Sequence, residues 1–140
     1  MARGVAPGWR EVVAVLAGGM LGTGLRLLAD TLLPHDTSAF PISTLVVNVV
    51  GAFVLGTLVS SVWTRPRTPN WAKAGLGAGL LGSFTTFSAL VTSLLVEATH
   101  GMWWLAVVYL LASLLLGFAA AALGLRVGHR PPPRPDLVDE

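Results

Sequence analysis

The chain has 140 residues, of which 54% are hydrophobic and only 11% are charged, and its mean hydropathy is +0.72. Soluble domains carry about 25% charged residues, so this composition indicates an integral membrane protein. The absence of cysteine excludes disulfides and thiolate metal sites. Nine Lys and Arg residues stand against seven Asp and Glu, but no basic patch is interleaved with aromatics, so nucleic-acid binding is not expected.

Four apolar segments predict four transmembrane helices, at about residues 12–33, 41–63, 71–96 and 102–125. Each is close to the roughly 20 residues that a helix needs to cross a bilayer. Short polar loops separate them, and tryptophans stand at several of their ends, as in an interfacial belt. The expected fold is therefore all-α, with one membrane domain over residues 1–126 and a disordered, Pro-rich tail at 127–140.

The basic residues are distributed very unevenly between the two ends of the predicted bundle. With four helices, eight of the nine fall on one side: Arg3, Arg10, Arg65, Arg67, Lys73, Arg126, Arg130 and Arg134. Lys and Arg accumulate in cytoplasmic loops, so we expect both termini in the cytoplasm and the chain in the cell membrane.

The stretch GSFTTFSALVTSLL, residues 82–95, places hydroxyl groups inside the third apolar segment. Gly79, Gly82 and the hydroxyl cluster weaken helix propensity and favour a break in the third helix. A continuous helix whose Ser and Thr side chains bond back to its own carbonyls is the alternative. Phe84 and Phe87 are three residues apart and would share a helical face, presenting positive ring edges to an anion or packing against lipid and core.

Polar side chains also interrupt the other three segments. Thr44 and Asn48 lie one helical turn apart, and the Asn48 carboxamide suits either an interhelical hydrogen bond or donation to a permeating anion. Tyr109 and Ser113 form a similar stripe in the fourth segment. Arg26 either snorkels to the interface or makes a pore vestibule electropositive.

No set of residues that could catalyse a reaction appears in the sequence. The three histidines, His35, His100 and His129, fall in predicted loops or the tail, so we expect no enzyme activity. No carboxylate lies in the middle of a predicted span, which argues against proton-driven transport.

Taken together, these motifs resemble the Fluc (CrcB) fluoride channel family. Four patterns occur in the family's order, one in each helix: Gly18, Gly19, Gly22 and Arg26; Thr44, Leu45, Asn48 and Gly51; Gly79, Gly82, Phe84, Thr85, Thr86, Phe87 and Ser88; Tyr109 and Ser113. The resemblance covers about residues 10–126 and implies a fluoride-specific channel that exports cytoplasmic fluoride passively and confers fluoride resistance.

The resemblance also implies an assembly and a set of site residues. The family forms an antiparallel, dual-topology dimer with two fluoride pores and a structural sodium ion that is not transported. Its pore residues would correspond here to Asn48, Phe84, Phe87, Ser88, Thr44, Tyr109 and Ser113, and its vestibule arginine to Arg26. Backbone carbonyls of Gly79 and Gly82 would hold the sodium.

The uneven loop charge departs from the balance expected of a dual-topology protein. We therefore expect insertion in one orientation, and the dimer partner is either the same chain or an oppositely oriented homologue. Two other functions stay open: a small multidrug-resistance-like exporter, which would need a carboxylate in mid-span, and a membrane scaffold whose polar groups only join helices.

Overall fold

The structure is a computed structural model that describes residues 7–33 and 40–129. Four of its helical spans are long and apolar enough to cross a membrane: Trp9–Leu32, Ile42–Ser61, Asn70–Thr99 and Trp103–Gly128. The described residues contain no strand, so the predicted all-α membrane class is confirmed. Several residues used in the predictions lie outside the described ranges: Arg3, His35, Arg130, Arg134 and the tail from residue 130 onward.

Three of the spans are single helices, which we call α1 (Trp9–Leu32), α2 (Ile42–Ser61) and α6 (Trp103–Gly128). The third span is composite. It contains α3 (Asn70–Ala74), a π-helical segment (Gly75–Leu81), α4 (Gly82–Phe84) and α5 (Phe87–Thr99). Between α4 and α5 the backbone is extended, with φ −80° and ψ 157° at Thr85 and φ −148° and ψ 127° at Thr86.

The first span packs against the third through glycines that bring the two backbones together. A Cβ added at Gly18 would collide with the Gly75 carbonyl oxygen, and one at Gly22 with the Leu80 carbonyl oxygen. Small residues at four-residue spacing allow this approach in membranes, where helices gain little from hydrophobic association. This packing sets the position of the π-helical segment and of the extended residues that follow it.

The second and fourth spans form the other extensive helix pair. Here Gly56 faces the Ala121 carbonyl oxygen, and Gly124 faces the Phe53 carbonyl oxygen, so that neither glycine has room for a side chain. The outward faces of the bundle carry large apolar side chains, including Met20 on α1. Such a surface suits contact with lipid acyl chains.

The end of α5 lies later than the sequence indicated. Residues 97–101 were expected to be a loop, but the helix continues through Glu97 to Thr99. Gly101, with φ +76°, ends it in a Schellman arrangement, in which Met102 N–H donates to the Glu97 carbonyl at 2.9 Å and Gly101 N–H to Ala98 at 3.0 Å. Glu97 is therefore a helix residue, and its side chain is buried.

Candidate functional site

Asn48 on α2 forms a two-point hydrogen bond with the extended backbone of the third span. Its Nδ2 donates to the Thr86 carbonyl at 2.9 Å, and its Oδ1 accepts the Thr86 N–H at 2.8 Å. In a continuous helix that N–H would bond to the Gly82 carbonyl four residues earlier. The carboxamide thus replaces the helical partners that Thr86 lacks, which is a requirement for irregular backbone at membrane depth.

The two threonines of the extended stretch use their hydroxyl groups differently. Thr85 Oγ1 donates to the Leu81 carbonyl at 2.8 Å, and the Thr85 methyl group occupies the space beside Gly51. Thr86 Oγ1 accepts the Ala89 N–H at 3.2 Å and so caps the N-terminus of α5. Thr86 is therefore the N-cap of α5 and provides a partner for one of the first amides of that helix.

A cavity of about 440 Å³ lies beside Asn48. Three of the predicted site residues, Asn48, Gly82 and Phe87, line it. The Phe87 side chain is 78% exposed and stands at the opening, next to the apolar side chain of Leu90. The cavity therefore combines a carboxamide, an accessible glycine backbone and an aromatic ring.

A second cavity, of about 360 Å³, contains the Arg26 side chain. Thr44 and Ser88, both predicted for the polar track, line it together with Asp30. Arg26 Nε lies 3.8 Å from Asp30 Oδ2, one helical turn further along α1, and both side chains are partly exposed. The guanidinium thus makes this cavity electropositive, and the carboxylate partly offsets that charge.

The two cavities are connected by hydroxyl groups at the start of α5. Thr86 lines the cavity beside Asn48, and Ser88 lines the cavity that contains Arg26. Thr86 Oγ1 and Ser88 Oγ lie 3.1 Å apart and share a hydrogen bond. A chain of polar groups therefore runs from Arg26 past Ser88 and Thr86 to Asn48.

Phe84 and Phe87 do not share a helical face in the structure, contrary to the prediction from their spacing. A common face would require one continuous helix through both residues, but the extended backbone of Thr85 and Thr86 separates them. Phe87 lines the cavity beside Asn48, whereas Phe84 is not among the residues that line it and lies close to Gly51 instead.

The backbone groups of Gly79 and Gly82 have different surroundings. The Gly79 carbonyl accepts the Gly82 N–H, and its α-carbon packs against α1, where an added Cβ would lie 2.7 Å from the Val15 carbonyl oxygen. The Gly82 carbonyl has lost its helical donor, because Thr86 N–H bonds to Asn48. Gly82 is exposed and lines the cavity.

Tyr109 and Ser113 lie on α6, apart from both cavities. Tyr109 is completely buried, with its ring edge-to-face against Phe40 at a centroid distance of 5.1 Å. Tyr109 Oη and Ser113 Oγ are both buried, and the two residues lie one helical turn apart on α6. The two cavities therefore contain five of the eight predicted pore and vestibule residues. Phe84 and the pair on α6 lie outside both.

Two residues of α5 were missed by the reasoning from sequence. Thr92 and Ser93 line the cavity that contains Arg26, and Thr92 Oγ1 donates to the Ser88 carbonyl at 2.9 Å. Their signal was present, because Thr92 follows Ser88 by one helical turn in an apolar segment.

Comparison with known proteins identifies a family and several relatives of this chain. The family model described as "CrcB-like protein, Camphor Resistance (CrcB)" matches residues 13–125. The chain is 35% identical over 122 residues, 87% of its length and 92% of the relative, to "Fluoride-specific ion channel FluC 1" of Mycolicibacterium paratuberculosis. It is 37% identical over 124 residues, 86% and 92% of the two chains, to "Fluoride-specific ion channel FluC" of Xanthomonas euvesicatoria pv. vesicatoria.

A third relative, "Fluoride-specific ion channel FluC 2" of Halalkalibacterium halodurans, is 40% identical over 116 residues, 82% of this chain and 83% of its own. These names describe channels rather than enzymes. The matches extend over nearly all of the residues that form the four spans, so the resemblance found in the motifs is confirmed. This chain belongs to the CrcB-like family.

Proposed function

We propose that this chain is a subunit of a fluoride channel through which cytoplasmic fluoride leaves the cell passively. Its relatives are named fluoride-specific ion channels. In this chain the observation that carries the proposal is the Asn48 carboxamide, held by Thr86 at the extended backbone of an otherwise apolar span. Its second N–H hydrogen has no partner among the described residues and is free to donate to an anion.

The polar groups around Asn48 suit a small, strongly hydrated anion. Arg26 attracts the anion into the cavity that contains its side chain, where hydroxyl groups of Thr44 and Ser88 replace part of the water shell of the anion. Asn48 then offers an amide donor, and the Phe87 ring can turn its positive edge toward the ion without adding a formal charge. Fluoride would thus be held strongly enough to lose water and weakly enough to leave.

Passive export is sufficient for resistance to fluoride. Hydrofluoric acid is weak, so it enters a cell in its neutral form and dissociates in a less acidic cytoplasm. The interior-negative potential then drives the anion out, by about 2.3 kcal/mol per charge for 100 mV. A proton-coupled exporter would need a carboxylate in mid-span. Glu97 does not meet this requirement, because it lies in the last turn of α5.

The proposed channel is an antiparallel dimer with both termini of this chain in the cytoplasm. The accessible Phe87 and Gly82 at the open side of the Asn48 cavity support a subunit contact there. The eight-to-one distribution of basic residues supports a single orientation and hence an oppositely oriented homologue as partner. A C-terminal reporter that is equally active on both sides of the membrane would contradict the single orientation, and full conduction by the purified chain would show that it pairs with itself.

The proposal includes a structural sodium ion. The surroundings of the backbone carbonyls indicate which oxygen atoms would bind it. The Gly82 carbonyl fits, because it has lost its helical donor. The Thr85 carbonyl fits as well, because Ala89 N–H, its helical donor, bonds to the Thr86 hydroxyl instead. The Gly79 carbonyl fits poorly, because it already accepts the Gly82 N–H. Carbonyl oxygens are suitable ligands for a hard cation, which would supply positive charge beside the cavity.

Sodium binding can be tested separately from transport. We expect the melting temperature of the purified protein to rise with sodium concentration but not with N-methylglucamine, a cation too large for such a site. Equal melting temperatures in the two salts would contradict the sodium site and leave the channel proposal standing.

The channel itself is tested by fluoride efflux from liposomes that contain the purified protein, with the oppositely oriented homologue added if the chain alone is silent. A channel gives fast efflux without a proton gradient, an exporter requires the gradient, and a scaffold gives no efflux in either condition. Phe87→Ile should reduce efflux strongly, whereas Phe118→Ile, at a side chain that is 73% exposed on α6 outside both cavities, should not. Equal efflux from both variants would count against the role of Phe87.

A further inference from the structure

A third cavity, of about 370 Å³, lies between α1 and α3 at the end of the bundle where both helices begin. Two tryptophans, one arginine and three small or branched apolar residues line it: Trp9, Arg10, Val13, Ala14, Ala17 and Trp71. None of them lines the cavity beside Asn48 or the cavity that contains Arg26. We call this third cavity the Trp9 groove.

The groove has exposed aromatic walls and a closed apolar floor. Trp9 is 72% exposed and Trp71 is 47% exposed. Beneath Ala14 the first and third spans are in contact, because a Cβ added at Gly75 would lie 3.0 Å from the Ala14 Cβ. From Arg10 to the end of the groove, seven residues further along α1, the distance is about 10 Å at a rise of about 1.5 Å per residue. This length accommodates the upper part of a lipid acyl chain.

Arg10 supplies a positive charge at the mouth of the groove. Its guanidinium carbon lies 5.6 Å from the centre of the Trp9 ring, which is the distance of a cation–π contact. Among the described residues no carboxylate forms an ion pair with Arg10. The adjacent Glu11 does not line the groove, and its Oε2 accepts the Gly8 N–H at 3.0 Å. The guanidinium can therefore bind an anionic ligand.

An anionic phospholipid matches this combination of groups. Tryptophan side chains prefer the headgroup level of a bilayer, and an arginine can form two parallel hydrogen bonds to a phosphate. The surrounding charge favours an anionic over a zwitterionic headgroup, because Arg65, Arg67 and Lys73 flank Trp71 in the sequence. Among the described residues at this end, Glu11 alone carries a negative charge.

We propose that the Trp9 groove binds one anionic phospholipid, with the phosphate on Arg10 and the upper part of an acyl chain along Val13 and Ala17. A second copy of the chain is disfavoured as the occupant, because it would bury the Arg10 charge, which is costly without a paired carboxylate. The subunit contact proposed above also lies elsewhere, at the cavity beside Asn48. The lipid site goes beyond the proposed function, since it requires membrane spans but no fluoride transport.

The test measures phospholipid that stays bound to the purified protein in native mass spectra, with dioleoyl phosphatidylglycerol and dioleoyl phosphatidylcholine added in turn. We expect the wild type to retain phosphatidylglycerol preferentially. Arg10→Gln should bind it about fivefold more weakly, because one basic residue near an anionic headgroup has an effect of that order. Arg67→Gln is the matched control, because it removes the same charge from an exposed residue outside the groove, and it should bind like the wild type.

A second pair of variants tests the apolar part of the groove. Ala17→Phe occupies the floor and should weaken phosphatidylglycerol binding without a change of charge, whereas Ala119→Phe, at an exposed residue of α6, should not.

Thermal melting in detergent supplies an independent readout of the same site. Phosphatidylglycerol should raise the melting temperature of the wild type and Arg67→Gln more than that of Arg10→Gln. Equal binding by Arg10→Gln and Arg67→Gln, or equal retention of the two lipids by the wild type, would overturn the lipid site. A change of oligomeric state in Ala17→Phe would overturn it as well, because the groove would then be a contact between subunits.

Discussion

Replacing Asn48 with aspartate keeps the hydrogen-bond acceptor of the side chain and removes its N–H donor. Aspartate keeps the oxygen that accepts the Thr86 N–H at 2.8 Å. It replaces the donor that bonds to the Thr86 carbonyl at 2.9 Å with an oxygen, and it brings a negative charge to the cavity. At a distance of about 4 Å and an effective dielectric constant of about 20, that charge repels fluoride by about 4 kcal/mol. We therefore expect efflux through Asn48→Asp to fall by about 1,000-fold.

The assay is fluoride efflux from liposomes, followed with a fluoride electrode, and each variant is also melted in detergent. Because the Thr86 carbonyl loses its donor, the free energy of unfolding should decrease by about 1–3 kcal/mol. Thr57→Val is the control on the same helix. It removes a hydroxyl group that donates to the Phe53 carbonyl at 2.9 Å, away from both cavities, and should leave efflux unchanged.

Melting and efflux of the variant together decide whether the carboxamide has the two proposed roles. If Asn48→Asp melts like the wild type and conducts fluoride at the wild-type rate, the carboxamide neither supports Thr86 nor donates to the ion. A lower melting temperature with undiminished efflux would leave Asn48 as a purely structural link between α2 and the third span.

Three further predictions address packing, capping and entry. Gly22→Ala should destabilise the protein by about 2–4 kcal/mol, because the added methyl group would collide with the backbone of the third span. Gly117→Ala is the control: the space around Gly117 is open, so this variant should melt at or above the wild-type temperature. Thr86→Val should lower the free energy of unfolding by about 1 kcal/mol in thermal melts, because α5 loses its cap. Asp30→Asn should raise fluoride efflux at low ionic strength by leaving Arg26 unpaired, and high salt should abolish the gain; a decrease would contradict the assigned balance of charge.

The spans of the fold were predictable from the sequence because the bilayer imposes a length and an apolar composition on each of them. Gly18 and Gly22, four residues apart, indicate a close approach of α1 to another helix, but their spacing does not identify the third span as the partner. The end of α5 was placed too early because Glu97 was taken as a charge that must lie outside the helix. The helix instead ends at Thr99, three residues after the predicted end, and Gly101 follows with a positive φ.

Arrangements that depend on the extended stretch could not be derived from spacing. The interval between Phe84 and Phe87 suggested a common face, and it gave the wrong surroundings for Phe84 because two extended residues intervene. The sequence also presented Asn48 as either a helix-joining residue or an anion donor. It could not show that Thr86, 38 residues later, is its partner, because that pairing depends on how α2 packs against the third span.

The two interpretations of Asn48, an interhelical hydrogen bond and donation to an anion, are compatible, because the hydrogen bonds orient the amide that would donate. A break in a membrane helix exposes an amide and a carbonyl, and the Asn48 side chain satisfies both at Thr86. The same two bonds fix the plane of the carboxamide, so its remaining N–H has a defined direction before any ion arrives. A donor that needs no reorientation binds an anion without a further loss of entropy and without reorganising its surroundings. Weakening the link to Thr86 should therefore reduce fluoride conduction even in a variant that keeps the Asn48 amide itself.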